Sequence, residues 1–184
     1  MSAEVLRWAL NRWADKVVDP KRGDHSPDAE RCRAAILSMM QTDGLDWAAW
    51  VKDYPGDGAY AWCGAFVAAA WKQAGLNHKA RYRSFASTYR LKEWGREHPG
   101  RIVSSWSSIL PADVVVVGDG DYGSHITLAL GLDKVAAQVL TVEGNAHGRF
   151  PDGTWGEGVV INVRPRKEIR AAYRPIDSDF KEEG

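Results

Sequence analysis

The chain of 184 residues carries 24 basic and 24 acidic side chains, so its formal charge is zero, and at 45% hydrophobic residues it has the material for one well-cored domain. That balance argues against the basic surface of a nucleic-acid binder or of a protein held on anionic lipid. Two cysteines, Cys32 and Cys63, are too few for a disulfide scaffold, no Cys/His cluster has zinc-ligand spacing, and no apolar run nears the roughly 18 residues of a membrane span.

The opening residues place Glu4 and Arg7 where a Sec signal needs a basic region followed by an apolar run, so no Sec-type signal is expected. Val5, Leu6, Trp8, Ala9, Leu10, Trp13, Val17 and Val18 recur at helical spacing and predict a helix over residues 3–18, ended by Asp19-Pro20. Ser26-Pro27-Asp28-Ala29-Glu30 reads as an N-cap, a first-turn proline and early acids, opening a second helix that runs to about Gln41. A short third helix is expected over 46–51, after the Asp43-Gly44 break.

Turn residues 54–58 then lead into Tyr60-Ala61-Trp62-Cys63-Gly64-Ala65-Phe66-Val67, an Ala-rich helix that ends at Gly75. Cys63 falls in its first turn, where unpaired N–H groups and the positive end of the helix dipole favour a thiolate, the nucleophilic form. Free cysteine is also often buried as a small hydrophobe, so the test is whether a partner base follows. Further on, a basic and aromatic stretch (77–83) precedes a helix expected over 84–97, ended by His98-Pro99-Gly100. Five strands are then predicted near 113–118, 125–131, 137–143, 158–163 and 169–173, with mostly short connections. Helices first and short strands afterwards predict an α+β domain whose antiparallel sheet, of about five to six strands, carries the Cys63 helix.

Of five histidines, His25, His78 and His98 read as solvated loop or helix-end residues. His125 opens a strand straight after a Gly-rich turn, which holds its ring firmly at a sheet margin; His147, expected on a loop, is the competitor. A Cys–His pair works best with a third group that orients the imidazole, and Glu143 and Asn145, two apart with Gly144 between them, both reach toward one neighbour. The sequence leaves open which of the two orients the ring. Trp62, Trp106, Tyr122 and Trp155 are candidate groove walls, and Tyr60 is a candidate second oxyanion donor beside the Cys63 N–H.

The ordered blocks Ala61-Trp62-Cys63-Gly64-Ala65-Phe66-Val67, Pro111-Ala112-Asp113-Val114-Val115-Val116-Val117, Gly123-Ser124-His125-Ile126 and Val142-Glu143-Gly144-Asn145 resemble the CHAP family. These are cysteine- and histidine-dependent amidohydrolases/peptidases of the NlpC/P60-like, papain-related group. The resemblance spans about residues 55–175. It leaves 1–54 as a helical segment packed on the domain and 176–184 as an acidic tail. It implies a papain-like fold, Cys63 as nucleophile, His125 as base, Glu143 and Asn145 as polar partners, no cofactor, and peptidoglycan as substrate, cut at an amide. One departure is Ala112, where the family commonly has glycine; this costs turn preference and leaves the chemistry intact.

Some family members bind calcium in an acidic loop before the cysteine, but Asp53 and Asp57 lack the alternating oxygen ligands such a site needs, so no metal is expected; Asp119 and Asp121 read as a solvated turn. A wall hydrolase without a signal must reach the periplasm by holin release, as a phage endolysin does, or by a secretion apparatus, as a toxin that requires an immunity protein. The rival readings are a protease or deamidase acting on proteins and a non-catalytic wall- or partner-binding module with a structural Cys63.

Overall fold

The computed structural model describes residues 2–21, 23–42, 62–75, 88–118 and 123–176. Four helices and a five-stranded, wholly antiparallel sheet make an α+β architecture in these residues. The expected helix over 46–51, the 77–83 stretch, the turn at 54–58 and the tail beyond 176 lie outside them, as do Tyr60, Asp53, Asp57, His78, Asp119, Asp121 and Tyr122.

Helix α1 (Ser2–Ala14) buries Val5 and Ala9, one turn apart. It stops short of residue 18 because Lys16 takes a left-handed φ of 49° and Val17 and Val18 turn to pair with the sheet. Residues 17–19 form a strap along the outer strand: Val159 N donates to Val17 O (2.8 Å), Asp19 N to Glu157 O (2.8 Å), and Val18 bridges Gly158. A side chain at Gly158 would meet the Val17 carbonyl, so glycine is what lets the strap lie this close. Helix α2 (Pro27–Thr42) begins as expected, with the Ala29 N–H on Ser26 Oγ and acids in its first turn.

Helix α3 (Cys63–Gln73) is buried without interruption over 63–71, because α1 and α2 cover one side and the sheet the other. Its small residues allow that close packing on both sides. Helix α4 (Thr88–Glu97) buries Leu91, Trp94 and Gly95. His98 is not solvated as expected: Nδ1 lies 2.8 Å from Trp94 O and the ring stacks on Trp94.

The strands are β1 (Val114–Val117), β2 (His125–Asp133), β3 (Gln138–Arg149), β4 (Trp155–Pro165) and β5 (Ile169–Tyr173), in the spatial order β4-β3-β2-β1-β5. β1 is covered on both faces, as its β-branched run predicted. Val114 and Val116 join Ile126, Leu128, Val142 and the helices in the main core, while Val115 and Val117 join Ile109, Ala129, Val139 and Ala172 in a second one. β3 and β4 are longer than expected, so His147 lies on a strand and not on a loop. Helices α1 and α2 share the main core with α3 and the sheet.

Candidate active site

The geometry starts from a failure of pairing. β2 and β3 pair from Asp133↔Gln138 to Leu128↔Val142, with a register shift between Ala129 and Gly131, and there the ladder ends; beyond Glu143 a bulge carries β3 away. The first turn of α3 packs into the resulting notch. A Cβ at Gly144 would stand 2.5 Å from Phe66 Cβ and 2.6 Å from the Trp62 ring, so Gly144 gives the helix the close approach anticipated for it. Asn145, at φ 55°, accepts the Trp62 N–H on Oδ1 at 2.9 Å. Strand β3 thereby fixes the backbone immediately before Cys63.

Directly opposite residues of antiparallel strands share a face, so His125, across from Val117, points to the same side as Thr141 and Glu143. His125 Nε2 lies 3.1 Å from Glu143 Oε2. Cys63 and His125 lie close enough for each to shift the other's titration, and with Nε2 engaged by Glu143, Nδ1 is the ring nitrogen left to face the thiol. The backbone of Ile126 and of Gly64 also favours the thiolate. Of the two candidate orienting residues, Glu143 holds the imidazole and Asn145 holds the helix.

Three residues that sequence reasoning did not single out complete the site. Glu143 is fully buried, and its carboxylate accepts from Arg164 through Nε (2.7 Å) and Nη2 (2.5 Å), from Asn162 Nδ2 (3.1 Å) and from Thr141 Oγ1 (2.5 Å). Asn162 and Arg164 alternate along β4 on the face that Thr141 and Glu143 occupy on β3. That period-two pattern was visible in the sequence, but the β3–β4 register that brings it to Glu143 was not.

Electrostatics follow from this chain of contacts. Burial pushes the Glu143 carboxyl up, but Arg164 and His125 more than offset it and hold the group well below the usual carboxylate range. Burial likewise opposes a charged His125, yet Cys63 and Glu143, with their negative charges, raise it to about 9. Burial raises the Cys63 thiol; His125, with the backbone of Ile126 and of Gly64, brings it below its ordinary value. The arrangement favours a thiolate–imidazolium pair backed by a carboxylate–guanidinium pair. As the first residue of α3, Cys63 has an N–H with no acceptor inside the helix.

The candidate groove walls separate. Trp62 is fully buried, with its Nε1 donating to Asp19 Oδ2 at 3.4 Å, so it is a core residue and not a wall. Trp106 packs with the second core beneath the Arg166 guanidinium, among Val115 and Val117 and apart from Cys63. Trp155 is 60% exposed and lines a groove. His147 is exposed and stacks on Trp155, away from the thiol. Cys32 and Cys63 are both free. Among the described residues, no group of three or more His, Cys, Asp or Glu is placed to hold a metal ion, and no helix is long and apolar enough to cross a membrane. Comparison with protein-family models, with curated proteins and with solved structures returned no match.

Proposed function

We propose that the chain is a CHAP-type, papain-like cysteine amidohydrolase that cleaves an amide of peptidoglycan, as an endopeptidase or an N-acetylmuramoyl-L-alanine amidase. The observation that carries this reading is the continuous link from Cys63, at the N-terminus of a buried helix, through His125 to the buried, arginine-held Glu143. Few structural roles call for a thiol, an imidazole and an ionised carboxylate in that order, whereas nucleophilic catalysis does.

The Cys63 thiolate attacks the amide carbonyl carbon, and the tetrahedral oxyanion is met by the Cys63 N–H. His125, protonated at neutral pH, gives its proton to the departing amine as the C–N bond breaks, leaving a thioester. The neutral imidazole then takes a proton from water, the hydroxide attacks the thioester, and the product acid leaves as the thiolate is restored. Glu143 keeps the ring in the tautomer and orientation both steps need. Action lies in the periplasm, reached by holin release or by a secretion apparatus, the latter requiring an immunity protein in the producing cell.

The test is mass spectrometry of purified peptidoglycan digested with the wild-type protein and with Cys63→Ala. New muropeptides from the wild type alone are the expected result, with their termini identifying the bond. No products from either protein, together with slow alkylation of Cys63, would leave a binding module as the better account. Cleavage of folded proteins but not of the wall would move the same chemistry to a protein substrate.

A further inference from the structure

The helix that carries Cys63 starts without a side-chain cap. Its N-cap position is Trp62, at φ −101° and ψ 14°, and no side-chain hydrogen bond closes the first turn. Ser, Thr, Asp or Asn at that position would engage a first-turn N–H with its own oxygen. Tryptophan takes up none of those donors, which leaves them for an anion. The start of the helix must then be fixed from outside.

Trp62 is gripped at three points. Its main-chain N–H donates to Asn145 Oδ1 at 2.9 Å, its ring lies where a Cβ on Gly144 would stand 2.6 Å away, and its Nε1–H donates to Asp19 Oδ2 at 3.4 Å. The first two holds come from β3, next to Glu143. The third comes from the N-terminal segment, which the CHAP-like blocks do not include. The indole bond is long, and the negative charge of its acceptor strengthens it.

Asp19 can hold an indole in place only if it is itself held. Val17 O accepts from Val159 N and Asp19 N donates to Glu157 O, while Val18 N, between them, donates to Cys32 Sγ on α2 at 3.4 Å. The Val18 side chain packs on Ala146, Phe150 and Val160, and Pro20, which follows the strap, is buried. The strap is thus pinned to β4 and to α2 at once, a rigid mount for the carboxylate between them.

We propose that Asp19 is a positioning residue for the Cys63 nucleophile, acting through the Trp62 indole. The inference rests on the proposed hydrolase function and deepens it: the N-terminal segment is part of the framework that aims the thiolate, and not only a cover over the core. A shift of Trp62 carries the adjoining Cys63 and Gly64 backbone with it, and displacements of that kind are costly at a reacting centre.

The experiment uses the full chain and reads Cys63 directly. Alkylation by iodoacetamide is followed across pH by mass spectrometry of the Cys63 peptide, which separates it from Cys32, with hydrolysis of purified wall measured in parallel. Asp19→Ala is expected to slow alkylation of Cys63 at neutral pH about tenfold and to lower the rate on saturating wall by a similar factor. Asp19→Asn keeps an acceptor and the strap's main-chain bonds, and is expected to recover most of both. Trp62→Phe keeps a ring without the N–H and is expected to match Asp19→Ala, with the double variant no worse than either single one. The indole N–H signal that Trp62→Phe lacks identifies Trp62 by NMR, and it is expected to move in Asp19→Ala. A Trp62 signal that stays in place, an unchanged alkylation profile in either Asp19→Ala or Trp62→Phe, or additive losses in the double variant would overturn the proposal. Equal losses in Asp19→Asn and Asp19→Ala would also overturn it, since the charge and not the bond would then be acting. Should Asp19→Ala fail to fold, Trp62→Phe and Asp19→Asn carry the same test. Because alkylation needs no substrate, an Asp19-dependent Cys63 in a protein that leaves the wall intact would remove the hydrolase reading alone. Wall cleavage that does not depend on Asp19 would remove the positioning role alone.

Discussion

Glu143 and Asp113 are both buried carboxylates, and each is gripped side-on by one arginine. Arg164 gives Nε and Nη2 to the two oxygens of Glu143, and Arg174 gives Nε and Nη2 to those of Asp113, both at 2.8 Å. The difference lies in what takes the remaining lone pairs. On Asp113 it is the backbone N–H of Leu110, which closes the turn into β1. On Glu143 they go to Asn162, Thr141 and the titratable His125, whose other ring nitrogen is left to face Cys63. A buried arginine–carboxylate pair is therefore no sign of function by itself. It becomes one when a third, titratable group shares the carboxylate and leads to a nucleophile.

The largest effects should come from neutralising each acid in turn. Glu143→Gln keeps an acceptor for Arg164 but removes the charge that orients and stabilises the imidazolium, so hydrolysis should fall at least about a hundred-fold. It also leaves a largely buried guanidinium with only Glu168, 3.5 Å away, as counter-charge, and stability should fall by about 3 kcal/mol. Asp113→Asn should cost about 1–3 kcal/mol, less than a fully enclosed pair because Arg174 is 40% exposed, while the folded protein keeps its activity. Urea unfolding and turnover on purified wall separate the two quantities. Equal losses of activity in both variants would mean that Glu143, too, is only structural.

The parts of this contrast that could be read beforehand are those encoded locally. A cysteine in the first turn of an Ala-rich helix, a histidine opening a strand and a Glu-Gly-Asn step each carry their signal within a few residues, and the structure brings all three together. The choice between Glu143 and Asn145 was not legible, because it depends on the bulge after Glu143 and on the left-handed Asn145, which send two residues of one strand to different partners. Arg164 and Asn162 were hidden for another reason: they meet Glu143 from 21 and 19 residues away, across a register that no short stretch specifies. Trp62 and Trp155 show a third limit. An indole serves a core as readily as a groove, and only burial, 0% against 60%, tells them apart. Gly144, Gly148 and Gly156 fall outside the predicted strands, yet all three lie within β3 or β4, which run past their expected ends.

A smaller and more selective effect concerns pH. In the wild type, kcat/KM should fall on the alkaline side near 9 as His125 loses its proton, and on the acid side as the Cys63 thiolate is protonated below its ordinary value. Arg164→Gln removes one of the two cations that hold Glu143 ionised, so Glu143 should take a proton at higher pH and the acid limb should move up. The stability linked to Glu143 has the same sign. Its carboxyl is depressed in the fold, so that stability is fully present above about 4.5 and is lost as pH falls further. Arg164→Lys keeps the charge without the planar fork, and should restore the acid limb better than it restores the rate. A pH profile unchanged in Arg164→Gln would make that arginine equivalent to Arg174, a strut with no influence on the chemistry.

The smallest predicted effect lies at the turn that Asp113 closes. Ala112 adopts a left-handed φ of 71°, a conformation that favours glycine. An L-residue there carries a penalty of about 1–2 kcal/mol, which Ala112→Gly would relieve. Against this, Ala112 is only 2% exposed, and removing its methyl costs about 0.8 kcal/mol of apolar burial. The extra freedom of glycine in the unfolded chain costs about 0.5–1 kcal/mol more. The contributions nearly cancel, so Ala112→Gly should move the free energy of unfolding by less than about 1 kcal/mol in either direction and leave wall hydrolysis unchanged. A loss above about 2 kcal/mol in urea titration would mean that the methyl's packing in the main core outweighs the backbone strain. Alanine at this turn would then be a residue chosen by its neighbours despite its conformation.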